Sequence, residues 1–350
     1  MTGRGRRTKD ERRSNAGQLA SFGKSPNVKR QIRGGIQIAV SALLLALILR
    51  QVHWAEVWAA LREIDVRWLA AAWALFLCGV GVRAVRWQVL LQALAVRRPL
   101  AELATWYLVG GFFNVILPTG FGGDVVRAAE LAQDSGRPAR VVNSVLVDRY
   151  LGIIVLLAMG LIAAPLRPGT AARLTVALMG ALFAGGLAAG WLLRQPWLAE
   201  LARRPGPFGR GLKRLGGEAL ADAFAAYDRR ALGRGLLASL AFNLLQIAWN
   251  VALGWGLGLR LPLVVYLVCV PLTAVALLLP AFGGLGVREL TYVGLFAQAG
   301  VPAPTALALS LGVYIITVAT GLVGGVIYLA GGARRLRSTS ITIQKDSNDS

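Results

Sequence analysis

Apolar runs of roughly membrane-spanning length recur along this 350-residue chain, and no other feature limits its fold so tightly. Hydrocarbon offers no hydrogen-bond partner to a backbone, so such a run must form a helix, and about 20 residues carry it across a bilayer. Spans are expected at residues 36–49, 68–91, 141–164, 174–193, 236–257, 263–279 and 306–330. Two shorter apolar pieces, 103–117 and 290–299, each abut a Gly-rich stretch and either cross the membrane or re-enter it. The expected fold class is therefore all-α, a polytopic helical membrane protein. It has about eight spans, with one or two broken or re-entrant Gly-rich elements, and 290–299 belongs to the eighth crossing. Composition agrees. Charged residues make up 16% of the chain, against about 25% in a soluble domain. That excludes a cytosolic enzyme, a disulfide-stapled secreted domain and a disordered chain. The two cysteines, Cys78 and Cys269, lie inside apolar runs and imply neither a metal site nor a disulfide framework.

The net charge of +21 is concentrated at the termini and in one loop. In a membrane protein this is an orientation signal, and it does not point to nucleic acid. Residues 1–33 hold ten Lys/Arg against Asp10 and Glu11 and read as a basic, disordered cytoplasmic tail. No small-residue cleavage site follows the first apolar run, so it reads as a span and not as a signal peptide. Residues 34–333 form the membrane domain and 334–350 a polar tail. The segment 194–234 carries nine Lys/Arg against four acids and is expected in the cytoplasm with both termini, at the plasma membrane. Within it, Leu220, Phe224 and Tyr227 face either the membrane or the bundle. Trp54, Val57, Trp58, Leu61 and Ile64 recur at helical spacing, as in a short helix on the outer interface. Trp68 and Trp255 near outer ends, and Trp87, Trp106, Trp191 and Trp197 near inner ends, fit interfacial anchors.

Residues 114–127, NVILPTGFGGDVVR, are the most informative stretch. Pro118 ends a helix, while Gly120, Gly122 and Gly123 permit irregular backbone. Asp124 is placed to cap a new helix over 125–134. Irregular backbone at membrane depth lines a cavity or is packed in protein; the alternative is a cytoplasmic turn. A second copy of this logic follows at 280–289, PAFGGLGVRE, with Pro280, Gly283, Gly284 and Gly286. In each copy an arginine stands four residues past the second glycine of the pair, Arg127 after Gly123 and Arg288 after Gly284. Paired broken helices are a sequence pointer to a transport site, and a helix start beside an arginine suits a phosphate. Asp124 and Glu289 put acid beside each arginine, as structural or gating pairs would, and glycine pairs also serve close helix packing. Asn114 precedes the first element. Asp148 and Arg149 lie about 10 Å into a span that starts at 141, or at the interface if it starts at Tyr150. Arg83 and Arg86 share one face of an apolar helix and either snorkel to headgroups or face inward. The sole histidine, His53, reads as a surface residue, and no metal, nucleotide, cofactor or nucleophile motif occurs.

These residues resemble the lysylphosphatidylglycerol synthase transmembrane-region family, also described as flippase-like. The resemblance rests on 114–127, Asp148-Arg149, 280–289 and Arg83-Ala-Val-Arg86-Trp87, and extends over roughly 34–332. In fused relatives such a helical region is associated with moving an aminoacylated phospholipid between leaflets. In fused relatives a separate soluble domain attaches the amino acid; this sequence is expected to lack that domain, so aminoacyl transfer is not carried over. Other relatives are linked to polyprenyl-phosphate sugar transfer or hopanoid handling. The matched positions are thereby candidate headgroup or gating residues, and the expected partner is a membrane lipid with a phosphate headgroup. Three functions compete. The first is lipid translocation; the second is group transfer on a lipid-phosphate carrier. The third is a non-catalytic partner of a soluble lipid-modifying enzyme, recruited through 194–234. The charge asymmetry predicts that cysteine labels at Ser14, Gly216 and Ser347 all report a cytoplasmic position. An external signal at Gly216 would overturn that topology from its middle.

Overall fold

The computed structural model describes residues 53–117, 122–135, 137–166, 170–195, 197, 200, 224–277 and 286–346. The expected span 36–49, most of 194–234, and Pro118, Gly120, Leu220, Pro280, Gly283 and Gly284 lie outside these residues. Among the described residues every regular element is helical: α1 (Trp54–Arg62), α2 (Val66–Ala93), α3 (Leu100–Ile116), α4 (Gly122–Ser135), α5 (Pro138–Ala163), α6 (Thr170–Leu193), α7 (Arg229–Gly256), α8 (Leu263–Ala276), α9 (Val287–Ala297) and α10 (Ala303–Asp346), with one 3-10 turn at Ala164–Leu166. Five helices are long and apolar enough to cross a membrane: α2, α5 with its 3-10 extension, α6 over Val176–Leu193, α7, and α10 over Ala303–Gly331. The polytopic helical expectation holds. Helix α9, with 11 residues, is about 16 Å long and alone reaches about half-way across. The α10 backbone stays helical through Asp346, beyond the expected span end at 330.

Local signals set the helix ends. Asp65 caps α2 by accepting from the Arg67 N–H at 2.9 Å, and Asp228 caps α7 by accepting from the Ala231 N–H at 2.8 Å. Helix α5 begins on Pro138, whose fixed φ suits a first turn and whose missing N–H costs nothing there. At one end of the bundle the Asp65 N–H donates to the Gly256 carbonyl, and Trp68 meets Trp255 edge-on at 4.7 Å. Helix α1 turns Val57 inward against Leu307 and Ala308 of α10, while Trp54 and Trp58 stay exposed, as an interfacial helix would arrange them.

Two helix pairs have the most extensive contact, α2 with α7 and α3 with α10. The second approaches to backbone contact through small residues. A Cβ at Gly321 would meet the Gly111 carbonyl, and one at Gly324 would stand on the Leu108 carbonyl. Membrane helices gain van der Waals contact this way, since burial against lipid-like side chains gives little. A core around Leu253, Tyr266, Phe296 and Leu309 ties α7, α8, α9 and α10 together. A second core around Trp87, Leu103, Leu131 and Val141 joins α2, α3, α4 and α5. Phe224 and Tyr227 are buried against Leu90, Val147 and Leu151, so they face the bundle.

Trp87 departs from its expected role. It is 0% exposed and donates through Nε1 to Ser144 Oγ at 2.8 Å. It is a core residue, not an interfacial anchor, because Tyr107 of α3, Ser144 of α5 and Arg127 of α4 close around it. Trp191 and Trp197 are exposed, as anchors are. The α3–α10 contact predicts that Gly324→Val lowers the unfolding temperature of the solubilised protein, at an overpacking cost of about 1–3 kcal/mol. Gly233→Ala, on α7 with open space around it, should leave that temperature unchanged or raise it. Equal effects would mean the two helices do not touch there.

Candidate functional site

The site is built where α2, α3, α4, α5, α7 and α9 converge, and one carboxylate organises it. Asp148 on α5 is 1% exposed. Its Oδ1 accepts from Arg86 Nε of α2 at 2.6 Å. Its Oδ2 accepts from the Tyr107 hydroxyl of α3 at 2.8 Å and from Arg127 Nη2 of α4 at 3.1 Å. Arg127, also 1% exposed, donates through Nε to Asp124 Oδ1 at 3.0 Å, and Asp124 Oδ2 in turn pairs with Arg149. The result is an alternating chain, Arg86–Asp148–Arg127–Asp124–Arg149. An isolated charge at this depth would be costly; alternation lets each neutralise its neighbours.

The neighbouring residues Asp148 and Arg149 thus serve different partners. Their span begins at Pro138, so the pair lies well inside the helix rather than at its start. Asp124 also departs from expectation. Helix α4 begins at Gly122, two residues ahead, so Asp124 sits within the first turn, and its carboxylate goes to the two arginines rather than to the helix cap. The capping work falls partly to Asn114, whose Oδ1 accepts from the Gly123 N–H at 2.7 Å. Gly123 is required by close approach: a Cβ there would overlap the Gly110 carbonyl of α3. That contact seats α4 on α3 and aims Arg127 inward.

Arg83 and Arg86 do not snorkel outward. Arg86 is 3% exposed and also donates through Nη1 to Ser239 Oγ of α7 at 3.0 Å. The Arg83 guanidinium lies over the Tyr107 and Phe242 rings, 5.1 and 5.0 Å from their centroids. Arg127 lies over Tyr107 and Trp87 at 4.1 and 4.6 Å. Each contact adds a cation–π attraction in a desolvated setting.

The second Gly-rich element reaches the same place by another route. Gly286, with φ of 83°, starts α9, and its N–H donates to Glu289 Oε2 at 2.7 Å. Glu289 Oε1 accepts from Arg288 Nη2 at 2.6 Å. Arg288 Nε also faces Ser310 Oγ at 3.3 Å, and its guanidinium lies 4.7 Å from the Tyr314 ring centroid. Arg288 therefore pairs within its own helix turn, whereas Arg127 pairs with a carboxylate on another helix as well as with Asp124.

A cavity of about 400 Å³ joins these parts. Arg83, Arg86, Arg127, Arg149 and Arg288 all line it, with Asp124, Asp148, Tyr107, Asn114 and Gly123. So do Phe242, Asn243 and Gln246 of α7 and Tyr314 and Thr317 of α10, which the sequence reading did not single out. Asn243, Gln246 and Asn250 recur at i, i+3 and i+7 on α7, a polar stripe in an apolar helix that was available as a signal. Among the described residues no group of His, Cys, Asp or Glu side chains is placed to hold a metal ion.

Comparison with known proteins adds one match. A family model described as the Lysylphosphatidylglycerol synthase TM region matches residues 35–325, the family suggested by the motifs above. No curated protein matches the chain. The ion-pair chain predicts that Asp148→Asn, which strands two buried arginines, costs about 3–5 kcal/mol in stability. Adding Arg86→Gln should recover part of that loss in thermal unfolding. A double variant no more stable than the single one would break the proposed coupling.

Proposed function

Because the chain belongs to the Lysylphosphatidylglycerol synthase TM region family, we propose that it takes a membrane lipid by its phosphate-bearing headgroup into the arginine-lined cavity and passes it between leaflets. The cargo class is a phospholipid or a polyprenyl-phosphate-linked lipid. The observation that carries this reading is the convergence of Arg127 and Arg288, from the two Gly-rich elements, on one cavity with Arg83, Arg86 and Arg149.

The reasoning is about solvation. A phosphate headgroup cannot enter hydrocarbon unless its oxygens keep hydrogen-bond partners, and removing them costs several kcal/mol each. Arginine is suited to the task, since its planar fork matches phosphate oxygens and holds its charge at any accessible pH. Here the guanidinium groups are already held by carboxylates and aromatic faces, so little reorganisation accompanies headgroup entry. Broken helices at equivalent points of two halves suit a site that opens first to one leaflet and then to the other.

Reconstitution of the full chain in vesicles with a fluorescent phospholipid tests the reading. Arg127→Gln and Arg288→Gln should each slow translocation about tenfold, the loss of one charge-assisted hydrogen bond, with helicity retained. Normal translocation by the double variant would overturn the headgroup role of both arginines.

A further inference from the structure

Three side-chain amides on α7 share one face of the helix but are not used alike. Asn243, Gln246 and Asn250 stand at i, i+3 and i+7. Asn243 donates through Nδ2 to the Gly152 carbonyl of α5 at 3.1 Å. Asn250 donates to the Gln246 backbone carbonyl at 2.9 Å and accepts from the Tyr292 hydroxyl of α9 at 2.6 Å. Both asparagines are buried and tie α7 to its neighbours. The Gln246 side chain, between them, lines the cavity and hydrogen-bonds to no described residue. A polar side chain in the middle turns of a membrane helix is costly unless it finds a partner. Helix packing accounts for the two asparagines and leaves the glutamine to the cavity.

Resting on the lipid reading above, we infer that Gln246, with Asn243 and Thr317, forms a second subsite of this cavity, one that takes a hydrogen-bond-donating group, hydroxyl or ammonium, joined to the headgroup phosphate. The spare atoms here are acceptors. Asn243 directs Nδ2 to Gly152, which leaves Oδ1, and Thr317 gives its hydroxyl proton to the Val313 carbonyl at 2.7 Å, which leaves the oxygen's lone pairs. Gln246 adds Oε1, and all three residues line the cavity.

Position along α7 relates this subsite to the arginines. Arg86 donates to Ser239, and Arg83 and Arg86 lie over the Phe242 ring. Gln246 is four residues past Phe242 and seven past Ser239, about 6 and 10 Å further along the helix. A phosphate held among those arginines leaves a short substituent at the level of Gln246. The arginines supply donors to phosphate oxygens, and the amides supply acceptors to what the phosphate carries.

The test compares three lipids with the same short chains and the same phosphodiester: phosphatidylglycerol, phosphatidylethanolamine and phosphatidylcholine. Their headgroups carry hydroxyls, an ammonium with N–H donors, and a quaternary ammonium with none. The last two have the same net charge, so charge does not separate them. Binding to the purified full-length protein in detergent is read by native mass spectrometry. Phosphatidylglycerol, phosphatidylethanolamine or both should bind about tenfold more tightly than phosphatidylcholine, the effect of one hydrogen bond, and which of them does so assigns the hydroxyl or the ammonium. Gln246→Leu should bring that ratio close to one with the unfolding temperature unchanged, since it breaks no hydrogen bond to a described residue. Thr317→Val, nearly the same in shape, should narrow the ratio in part. An unchanged ratio in Gln246→Leu would overturn the subsite, because choline would then be disfavoured by size alone. Equal weakening of all three lipids, or a lowered unfolding temperature, would make Gln246 a packing residue and overturn it too. Equal binding of the three lipids by the unaltered protein would overturn the donor preference and leave lipid binding standing. Binding of no lipid would overturn the lipid reading itself, and this inference with it.

Discussion

The bundle depends on how one buried carboxylate is neutralised. Asp148 sits on α5, and it joins Arg86 of α2, Tyr107 of α3 and Arg127 of α4. At that depth an unpaired carboxylate would lose its proton-free form or pull water inward. Its partners must therefore be brought to it, and bringing them fixes three helices against a fourth. Helix α4 adds Ala128 and Leu131 to the core it shares with α2, α3 and α5. It is seated by the Gly110–Gly123 approach and by Arg127, whose aliphatic stem and guanidinium are both enclosed. Removal of charge at one point in this chain propagates to the next, because each of its three inner members neutralises two neighbours.

The two Gly-rich elements share spacing but not construction. In the second, Glu289 ties down both the first amide of α9 and the adjacent arginine, so the turn is complete in itself. In the first, Arg127 is shared between its own helix and a carboxylate on another. Arg288 is thus pre-set by local chemistry, while the position of Arg127 depends on how α4 and α5 meet. An arginine whose partners sit on two elements is the one whose surroundings change most when those elements shift, which is where a gate would draw its sensitivity.

Much of this was legible in the sequence, for physical reasons that differ by feature. Hydropathy located the described spans because a bilayer sets a length that a chain can only meet with unbroken apolar residues. Asp148, Arg149, Arg83 and Arg86 stood out because charge inside an apolar run is costly, and Asp124, Arg127, Arg288 and Glu289 because they follow the paired glycines. The Asp124–Arg127 and Glu289–Arg288 pairs were legible from adjacency, but the partners of Asp148 were not. Asp148 lies beside Arg149 in sequence yet bonds to residues 62 and 21 positions away, and only packing decides that. Trp87 was misplaced because an aromatic near a span end reads as an anchor unless one knows that another helix covers it. Tyr107, Phe242 and Tyr314 were passed over because, in an apolar helix, an aromatic that carries a guanidinium looks like any that faces lipid.

Five arginines at the cavity outnumber the three carboxylates beside them, and that imbalance joins these observations to the proposed function. Alternation neutralises most of the arginines, but an excess of cation remains at a cavity lined by helices long and apolar enough to cross a membrane. Such an excess is stable only beside water or an anion, since the low dielectric magnifies any uncompensated charge. A phosphate headgroup has the converse problem, being stable in that layer only beside cations and donors. Each is unstable at that depth alone, and each removes the other's penalty. The same carboxylates that make the cavity tolerable would also limit how tightly it holds a phosphate headgroup, because they compete for Arg127 and Arg288. The proposed carrier role calls for that compromise: a site without the acids would bind a lipid too firmly to release it on the far side.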